Sequence, residues 1–577
     1  MSASQKASKA KDNQSLAKDI VDKFINSLTW RQPYRNKWDR FYKLYKNVLD
    51  ETNYPWQSNV FVPMAFSTVE TVVPRLVSNR PEIDIMPREK SDEAHAKIMS
   101  QLIDYQWDMM NMNVMMPEAV KEMCIYGTVI LKTGWKFTKK QTTKKELADE
   151  EMPELGTVDN ESEEVLYDAP TVELVDLYDF FPDPSGDSID RMKWCIHRTV
   201  RDLAYLKKMQ TMKIYKNIGL IDSGTSTPED DDEKSSRRAT DGISLPPLLD
   251  DSVELLEYWE DDRVVVIANR SVVIRDEKTP FRHGKKPFIL CVDQKVPHEV
   301  YGIGEIEPIE TLCYELNDRR NQRMDNVTLI LNRMWKIKNS ANVDEDELVS
   351  DAGGVVHTDD MDGLDVLAMP DVTASSYQEE ALIKGDIQQT SGVTDYTKGA
   401  NSGTSGNDTA TGISLLQEAG NARFRMKAQN IEDQLIKRLG EFMVSMNEQF
   451  VTEPQVLRIV GDDGIEWKQI KPEEIQGQFD VMVVAGSTLP VNEAIDKKQT
   501  MEMFSLFNGN PLVDQRELLR TVALAINPKA NIEKLLPPQQ AQPGTIPGEA
   551  PVEGEGMPTG DPSQQGLLQS AMSQPQA

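Results

Sequence analysis

Two helical patterns joined by a short mixed segment constrain this chain more than any other feature. The first pattern runs from Glu305 to about Trp335, and the second from Ser376 to about Gln389. In the first, apolar residues recur at three- and four-residue steps, which is typical of one face of a helix. About 31 residues at about 1.5 Å each give a rod of roughly 46 Å. The sequence therefore predicts a helical hairpin, here called the stalk, with a small knob at its far end.

Capping signals mark the ends of the stalk helices. Pro308 lies in the first turn of the first helix, where a missing N–H group costs nothing. Ser376 and Glu379 have the spacing of a capping box at the start of the second helix. The knob, about residues 335–370, is too short to bury a core by itself. We therefore expect copies of the knob in neighbouring subunits to stabilise one another.

Length and charge bound the class of protein. The chain has 577 residues and a formal net charge of −30, and this length allows about two to four structural units. A strongly acidic surface repels nucleic acid, so affinity for DNA is not the first expectation. The acidity still suits a surface past which DNA slides, because every Lys or Arg contact to phosphate would add affinity.

Cysteine usage and apolar runs indicate the compartment. No two cysteines have a CxxC spacing, so we predict reduced, structural thiols in a cytosolic setting. The N-terminal residues contain no apolar signal segment, and the longest uniformly apolar run, Val264–Ala268, is far too short for a membrane span. We expect a soluble, cytoplasmic product. The four cysteines are Cys124, Cys195, Cys291 and Cys313.

Periodicity along the rest of the chain predicts an α+β fold that is predominantly helical. A methionine-rich helical pattern near residue 100 is interpreted as adaptable core, and residues 56–63 as an extended entry into the next helix. The predicted helices outside the stalk are 16–50, 65–78, 92–112, 117–126, a very long helix from Asp408 or Thr409 to Phe450, and 492–536.

Alternating and β-branched runs predict short strands. The four strands between Val253 and Val292 are interpreted as one small β unit, and the two in the knob flank a helical turn at about 344–349. The predicted strands are 128–137, 172–175, 194–200, 253–259, 264–269, 272–275, 288–292, 335–338, 366–369, 456–460, 465–470 and 479–485.

Polar, Gly-rich or Pro-rich composition predicts several segments without regular structure. The insert at 225–246 contains three consecutive aspartates, Asp230–Asp232, which we interpret as a solvated charge run because consecutive side chains on a loop diverge from a metal. The segments are a mobile N-terminus at 1–15, flexible inserts at 139–164 and 225–246, a loop at 391–408, and a disordered tail at 537–577.

A search for catalytic motifs predicts that the chain is not an enzyme. The histidines have no HExxH or zinc-type spacing, and neither a P-loop nor a GxSxG motif occurs. Gly302-Ile303-Gly304 resembles a phosphate loop only weakly, because acidic Glu305 and Glu307 follow where phosphate would lie. We interpret it as a turn before the stalk. The five histidines are His95, His197, His283, His298 and His357.

Two basic clusters and one polar loop have two interpretations each. The clusters either form salt bridges with neighbouring acids, which we favour, or contact DNA phosphates in a conduit. The loop is either a disordered connector or a flexible collar that touches a passing strand, and its length favours the collar. The clusters are Arg319, Arg320 and Arg323 on the stalk and Arg423, Arg425 and Lys427 on the long helix, and the loop is Lys398–Asn407.

A set of short motifs, in this order and spacing, resembles the portal proteins of tailed bacteriophages, most closely the podovirus type. The resemblance covers roughly Trp56 to Leu536. The motifs are Trp56-Gln57-Ser58-Asn59-Val60 with Pro63; Tyr126-Gly127-Thr128 before Trp135; Asp179-Phe180-Phe181-Pro182-Asp183-Pro184; Tyr301-Gly302-Ile303-Gly304 before Asn317 and Arg320-Asn321; Thr390-Ser391-Gly392; Thr409-Ala410-Thr411-Gly412; and Ala485-Gly486-Ser487.

The resemblance implies a portal fold with wing, long-helix stem, small α/β clip, tunnel loop and helical crown. The chain would form a ring, typically a dodecamer, around a channel. The implied regions are an N-terminus at 1–15, wing 16–300, first stem helix 301–334, clip 335–370, second stem helix 371–391, tunnel loop 392–408, long helix and wing β segment 409–490, crown 491–536 and tail 537–577.

The resemblance also implies a role and partners. Portals occupy one capsid vertex of the virion, after synthesis in the host bacterial cytoplasm. They carry double-stranded DNA without sequence specificity, and they bind the terminase large subunit, capsid and scaffolding proteins, and tail adaptors. No cofactor or metal is implied.

Three groups of candidate site residues follow. They are DNA-facing loop residues Lys398, Asn401, Ser402, Thr404, Ser405 and Asn407; candidate phosphate contacts Arg319, Arg320 and Arg323; and clip residues Asp344, Glu345, Asp346 and Glu347 that would dock the terminase or an adaptor.

Two other classes stay open on the sequence alone. A virion-associated enzyme, such as a nuclease or a cell-wall hydrolase, would need a catalytic constellation that the motif search does not find. An internal scaffolding or core protein would be largely helical, whereas the β-rich segments at 253–292 and 456–485 argue against it.

Overall fold

A computed structural model describes most of the chain in two units. The first unit ends at Val491 and the second begins at Asn492. The structure describes residues 3–48, 54–147, 157–221, 252–332, 334–348, 355–367, 370, 373–394, 422–452, 455–461, 464–484, 493–510, 513 and 515–526.

Helices and strands alternate along the first unit, which confirms a mixed α+β fold. The helices are α1 Ala3–Trp30, α2 Gln32–Tyr45, α3 Met64–Leu76, α4 Glu93–Met109, α5 Met112–Tyr126, α6 Leu203–Thr211, α7 Glu310–Leu331, α8 Thr373–Ser391 and α9 Lys437–Phe450. The strands are β1 Ile83–Pro87, β2 Thr128–Leu147, β3 Thr157–Val175, β4 Phe180–Pro182, β5 Cys195–Asp202, β6 Ser252–Trp259, β7 Arg263–Ala268, β8 Val272–Lys278, β9 Phe288–Val292, β10 Met334–Ile337, β11 Leu364–Leu367, β12 Gln455–Gly461, β13 Gly464–Ile470 and β14 Phe479–Val483.

The N-terminal helix covers one face of a five-stranded antiparallel sheet with the order β4-β5-β6-β7-β8. Ile20 and Phe24 of α1 are fully buried against this sheet, in a cluster that includes Phe181 and Ile267. Because the opposite sheet face belongs to the main core, the central strands β6 and β7 are buried almost throughout. This explains why Val264–Ala268 is uniformly apolar.

The strand at Phe288–Val292 lies outside the small β unit in which the sequence placed it. It pairs with β2, with Thr128 opposite Val292, and forms a three-stranded sheet in the order β3-β2-β9. The other predicted strands of that unit, β6 to β8, do pair with one another. The sequence could not show which of the two sheets β9 joins, because the segment between β8 and β9 allows it to pair with a strand of either sheet.

The insert predicted as a flexible loop at 139–164 is largely a continuation of β2 and β3, so that prediction was wrong. The two strands pair from Ile130 opposite Val175 to Leu147 opposite Thr157. The register places Lys140 opposite Glu164 and Lys145 opposite Asp159. Opposite charges at paired positions stabilise a hairpin, so the charge pattern that suggested a solvated loop is also compatible with two paired strands.

The predicted helix at 16–50 begins earlier and is interrupted. Helix α1 starts at Ala3, so the described residues of the predicted N-terminal segment, 3–15, are helical, since Ala, Lys and Gln favour helix. It ends at Trp30, and α2 begins at Gln32 with Pro33 in its first turn. Proline is favoured there and cannot continue a preceding helix.

The main core lies between helices α3 to α5, the long helix and both larger sheets. The long helix comprises residues 422–450, with a π-helical turn at Glu432–Ile436 before α9. It ends at Phe450 as predicted, while its predicted start at Asp408 or Thr409 lies outside the described residues. Of the four methionines in the predicted pattern near residue 100, Met99 and Met112 are buried in this core and Met110 packs against it, which confirms these three as packing residues, whereas Met109 is only half-buried.

The stalk consists of α7 and α8, which pack against each other. A 3₁₀ turn, Glu307–Ile309, precedes α7, so the regular helix has 22 residues, or roughly 33 Å. In the knob, β10 pairs antiparallel with β11 and places Met334 opposite Leu367. The predicted helical turn is present at Glu345–Glu347. The secondary structure predicted for the stalk and knob is therefore confirmed, with a shorter first helix.

In its described residues, the second unit contains two helices, α10 Glu493–Phe507 and α11 Gln515–Ile526. The sequence predicted one helical region over 492–536, and the break falls at Gly509, which adopts a φ of 80°. Its N–H group donates a hydrogen bond to Gln515 Oε1. The insert at 225–246 and the tail at 537–577 lie outside the described residues.

Candidate functional site

The foot of the stalk is built by direct contact between two backbone segments. Gly302 and Gly304 lie against Gly127, where a Cβ atom on Gly304 would come within 2.7 Å of the Cys124 carbonyl oxygen. The Gly302 N–H group donates to Thr128 Oγ1 at 2.9 Å, and the Glu305 N–H group donates to the Cys124 carbonyl at 2.8 Å. Only glycine permits so close an approach.

This packing decides how Gly302-Ile303-Gly304 is used. Ile303 pairs with Gln294 in an antiparallel bridge. The amides at 302, 303 and 305 all donate to protein acceptors. A bound anion would need backbone N–H groups that do not already donate hydrogen bonds to the protein. The motif is therefore the turn that precedes the stalk, in agreement with the interpretation of the sequence.

An extended segment, Ser58–Val62, runs along the first stalk helix and is here called the strap. The N–H groups of its alternate residues donate to three side chains one turn apart on α7. The three contacts are Val62 N to Asn317 Oδ1 at 2.8 Å, Val60 N to Asn321 Oδ1 at 2.7 Å and Ser58 N to Asp325 Oδ1 at 2.6 Å.

The spacing of alternate strap residues matches the spacing of every fourth residue on α7. This match explains the series of three hydrogen bonds, here called the ladder. Two residues of extended chain advance about 6.6 Å, and four residues of helix advance about 6 Å. Asn321 also donates to the Val60 carbonyl at 3.2 Å, so its amide bonds both polar groups of one residue. The sequence analysis missed this contact, although amide or acid groups at every fourth helix position opposite an extended, Pro-terminated segment are a detectable signal.

A charged cluster joins the two stalk helices. Glu380 of α8 accepts from Arg320 at 2.8 Å, from Arg323 at 2.6 Å and from Lys384 at 2.7 Å. Burial alone would raise the pKa of Glu380, but its hydrogen bonds to Lys384 and Arg323 and their positive charges outweigh burial and lower it to about 2. Arg323 also lies over the ring of Tyr377. These partners make Glu380 a permanently ionised link between the helices.

The predicted phosphate contacts differ in exposure. Arg323 is buried and Arg320 is turned toward Glu380, whereas the Arg319 side chain is 45% exposed and makes a longer contact of 3.5 Å with Glu379. On the long helix, Arg423 donates at 3.4 Å to the carbonyl groups of Gln389 and Thr390 near the end of α8. Positive charge is favourable at a helix C-terminus.

The predicted docking residues of the knob lie on its surface. Asp344, Glu345 and Asp346 are exposed, and Asp344 accepts a hydrogen bond from the Asp346 N–H group. Glu347 accepts from the backbone N–H group of His357 at 2.8 Å and lies 3.0 Å from its Nδ1 atom. These bonds to His357 hold the pKa of Glu347 below its usual range.

The remaining candidate features concern the loop, metal ions, membrane spans and the cysteines. The loop residues from Lys398 to Asn407 fall in the undescribed range 395–421. Across the residues that the structure covers, no three His, Cys, Asp or Glu side chains are placed to hold a metal ion. In the same part of the chain, no helix has the length and apolarity needed to cross a membrane. All four cysteines are buried and free.

Comparison with protein families identifies the architecture to which these features belong. The model of the phage SU10 portal protein family matches residues 141–543, well over half of the chain. The chain belongs to this family. The match covers the stalk, the knob and the long helix, and it supports the podovirus-type portal that the sequence motifs indicated. The strap precedes the matched region.

Membership in the portal family gives the site a structural role. Portal families are structural rather than enzymatic. The features that the structure shows here are structural contacts: a glycine contact at the foot of the stalk, a series of hydrogen bonds along one side of it, and charged links within it. The ladder also joins two of the motifs on which the resemblance rested, at Ser58–Val60 and Asn317–Asn321.

Proposed function

We propose that this chain forms the portal ring at one capsid vertex of a tailed phage and acts as the head-to-tail connector. The observation that carries the proposal is the paired stalk helices with a strand-paired knob, in a chain that belongs to a portal family. In the ring, α7 and α8 would be the stem, the knob the clip and the second unit the crown. A dodecamer is the expected assembly.

The far half of the stalk supports assembly with other copies of the chain. Met324, Val327 and Leu331 follow one another at three- and four-residue steps on α7, yet each is more than 40% exposed. Cys313 and Leu316, nearer the foot, are buried. An apolar stripe that the single chain leaves in water marks an interface, and a neighbouring subunit in a ring would cover it.

The same ring would conduct double-stranded DNA during packaging and ejection. The net charge of −30 favours a lumen that holds DNA weakly. We assign residues 392–408 to the channel as the tunnel loop, with the candidate DNA-facing residues between Lys398 and Asn407. Of the three stalk arginines, Arg319 is the best candidate for phosphate contact, because Arg320 and Arg323 both bind Glu380.

The knob would provide the docking surface for the terminase large subunit and later for head-completion or tail adaptor proteins. Its support is the exposed acidic group Asp344–Asp346 at the helical turn, which suits a basic partner surface. Capsid and scaffolding proteins would contact other faces of the ring in the virion. The proposed role needs no cofactor, and ATP hydrolysis would belong to the terminase.

Negative-stain electron microscopy and mass photometry of the purified chain test the proposal together. Rings with a central hole and a mass near about ten to fourteen protomers are expected. A monomer or dimer that neither salt nor concentration converts into rings would contradict it. The double variant Met324→Ser with Leu331→Ser should impair rings while the monomer stays folded, and Val114→Ser, at another exposed apolar position, is its matched control.

A further inference from the structure

Three charged side chains connect the foot of the stalk to the long helix. The Lys427 ammonium lies 3.3 Å from Asp293 Oδ2 and also donates a close hydrogen bond to Glu305 Oε1. The Asp293 side chain is fully buried, that of Glu305 is 4% exposed and that of Lys427 is 14% exposed. One ammonium group and two carboxyl groups therefore share a site that is largely closed to water.

The charges of this cluster do not balance. With both carboxyl groups ionised, the cluster carries one excess negative charge, and burying such a charge is unfavourable. Asp293 Oδ1 is buried and accepts no hydrogen bond from the residues that the structure describes. Burial raises the pKa of Asp293, against the opposing effect of Lys427. A buried carboxyl group in this position responds by binding a proton.

The neighbouring ionisable groups do not supply the missing positive charge. Cys124 of α5 and Cys291 of β9 both interact with Asp293, and burial raises the pKa of each thiol well above its usual value. Both thiols are therefore neutral near pH 7. Within the described residues, the ionisable groups that face Asp293 are these two thiols, Glu305 and Lys427.

The cluster lies beside an irregular turn of the long helix. Val292, which precedes Asp293, donates its N–H group to Gln434 Oε1 at 3.2 Å. Gln434 belongs to the π-helical turn Glu432–Ile436, and such turns often occur where a helix serves a function. Val292, the last residue of β9, and Asp293, which follows it, thus contact Gln434 and Lys427, so these contacts help to attach the start of the long helix to the end of this strand.

We propose that Asp293, Glu305 and Lys427 form a proton-dependent latch between the long helix and the foot of the stalk. While Asp293 carries a proton, the cluster is neutral and the start of the long helix is held. When Asp293 loses the proton, the excess charge and the repulsion from Glu305 loosen the contact. The latch lies within a single chain, so it does not depend on a ring or on DNA.

Proton linkage fixes the direction of the effect. The folded state binds the Asp293 proton more tightly than the unfolded chain does, because the pKa is raised on folding. The contribution to stability is therefore complete below the ordinary aspartate pKa of about 4 and is lost as the pH rises through the raised value. A carboxamide at position 293 has nearly the same shape as the protonated acid, so Asp293→Asn should remove this pH dependence.

Hydrogen exchange measured by mass spectrometry on the full chain tests the latch. After correction for intrinsic rates, protection of residues 422–431 in the wild type should fall between pH 5 and pH 8, on the order of tenfold per pH unit within the titration window. In Asp293→Asn the protection should stay constant across that range and exceed that of the wild type at pH 8.

Asp190→Asn is the matched control, because Asp190 binds Arg438 of the same long helix at a half-exposed site. Burial opposes ionisation of Asp190, but Arg438 outweighs it and lowers the pKa. This variant should keep the pH dependence of the wild type. The proposal is wrong if wild-type protection does not change with pH, if Asp293→Asn keeps the same slope, or if both variants behave alike. If Asp293→Asn does not fold, the pH dependence of hydrogen-exchange protection in the wild type tests the proposal by itself.

Discussion

Two buried carboxylate clusters of the stalk have opposite charge balance. On the stalk itself, one carboxylate, Glu380, is surrounded by three cations, Arg320, Arg323 and Lys384. At its foot, two carboxyl groups share Lys427, the one cation that the described part of the chain places against both. The pKa of Glu380 is lowered to about 2, whereas that of Asp293 is raised.

The comparison shows that burial alone does not decide the protonation state of an acid. Both sites exclude water, which disfavours the charged form. At Glu380 the excess of cations outweighs this effect, so the acid is ionised at every physiological pH. At Asp293 one ammonium group is divided between two acids, so the effect of burial prevails. The first cluster is a fixed link between helices, and the second is suited to respond to pH.

Removing Lys427 should have the largest effect on stability. Lys427→Met leaves Asp293 and Glu305 buried without a cation, and we expect a loss of about 3–5 kcal/mol in the free energy of unfolding at pH 8. Both acids then favour protonation, so part of the loss should be recovered at pH 5. Urea unfolding at the two pH values measures this. Lys427→Arg is the control, and an equal loss at both pH values would contradict the charge-balance account.

Removing the acid of the other cluster should cost less. Glu380→Gln leaves Arg323 buried without its carboxylate partner, while Arg320 and Lys384 can turn to solvent, so we expect a loss of about 2 kcal/mol near pH 7. Since the pKa of Glu380 is depressed to about 2, the wild-type advantage should exist above the ordinary pKa of about 4.3 and vanish as the pH falls through 2.

Unfolding of both proteins from pH 7 to pH 3 measures this second effect. The difference between wild type and Glu380→Gln should shrink toward acid, opposite in direction to the behaviour of Asp293. Glu379→Gln, at a half-exposed neighbouring position, is the control and should change stability little. A difference that grows toward acid would refute the assignment.

Removing one side chain that bonds the strap to α7 should lower the free energy of unfolding by less, and this effect does not involve charge. Asn321→Ala removes the bonds to the Val60 N–H and carbonyl groups, and a loss of about 1 kcal/mol is expected because water can replace them at this exposed site. Limited proteolysis should show faster cleavage within residues 54–63. Gln322→Ala, one position along on α7, should leave that cleavage unchanged, and equal cleavage in both variants would argue against the ladder.

Arg319→Ala should have the smallest effect on stability, within about 0.5 kcal/mol, because its contact to Glu379 is long and solvent-exposed. If Arg319 contacts DNA in the proposed channel, the salt dependence of DNA retention by assembled rings should weaken by about one unit of log–log slope per subunit contact. Thermal unfolding and a salt titration measure the two quantities. A marked loss of stability would show that Arg319, like Arg323, is a structural residue.

Much of the local structure followed from the sequence. The spacing of apolar residues predicted both stalk helices, the knob strands and the end of the long helix at Phe450, because a 3.6-residue or two-residue period reports which face is buried. Composition predicted local structure less well than the spacing of apolar residues did. Lysine and acid residues at 139–164 suggested a loop, yet residues 139–147 pair with residues 157–165 across β2 and β3, since charge pattern alone does not distinguish a loop from a hairpin.

The family was also accessible from the sequence: the resemblance rested on the order and spacing of short motifs, and the family comparison confirms the family over residues 141–543. By contrast, the sequence did not show which opposite charge each charged side chain contacts. The sequence does not distinguish Arg319, Arg320 and Arg323 from one another. The packing of α7 on α8 buries Arg323 and leaves Arg319 exposed.

Contacts between distant parts of the chain were decided only by the tertiary structure. Asp293, Glu305 and Lys427 are far apart in sequence, as are Val60 and Asn321, and no local pattern brings them together. Periodicity records whether a residue is buried, because burial depends on one face of one element. The protonation state of a buried acid depends on how many opposite charges the rest of the fold places around it, and that number exists only once the chain has folded.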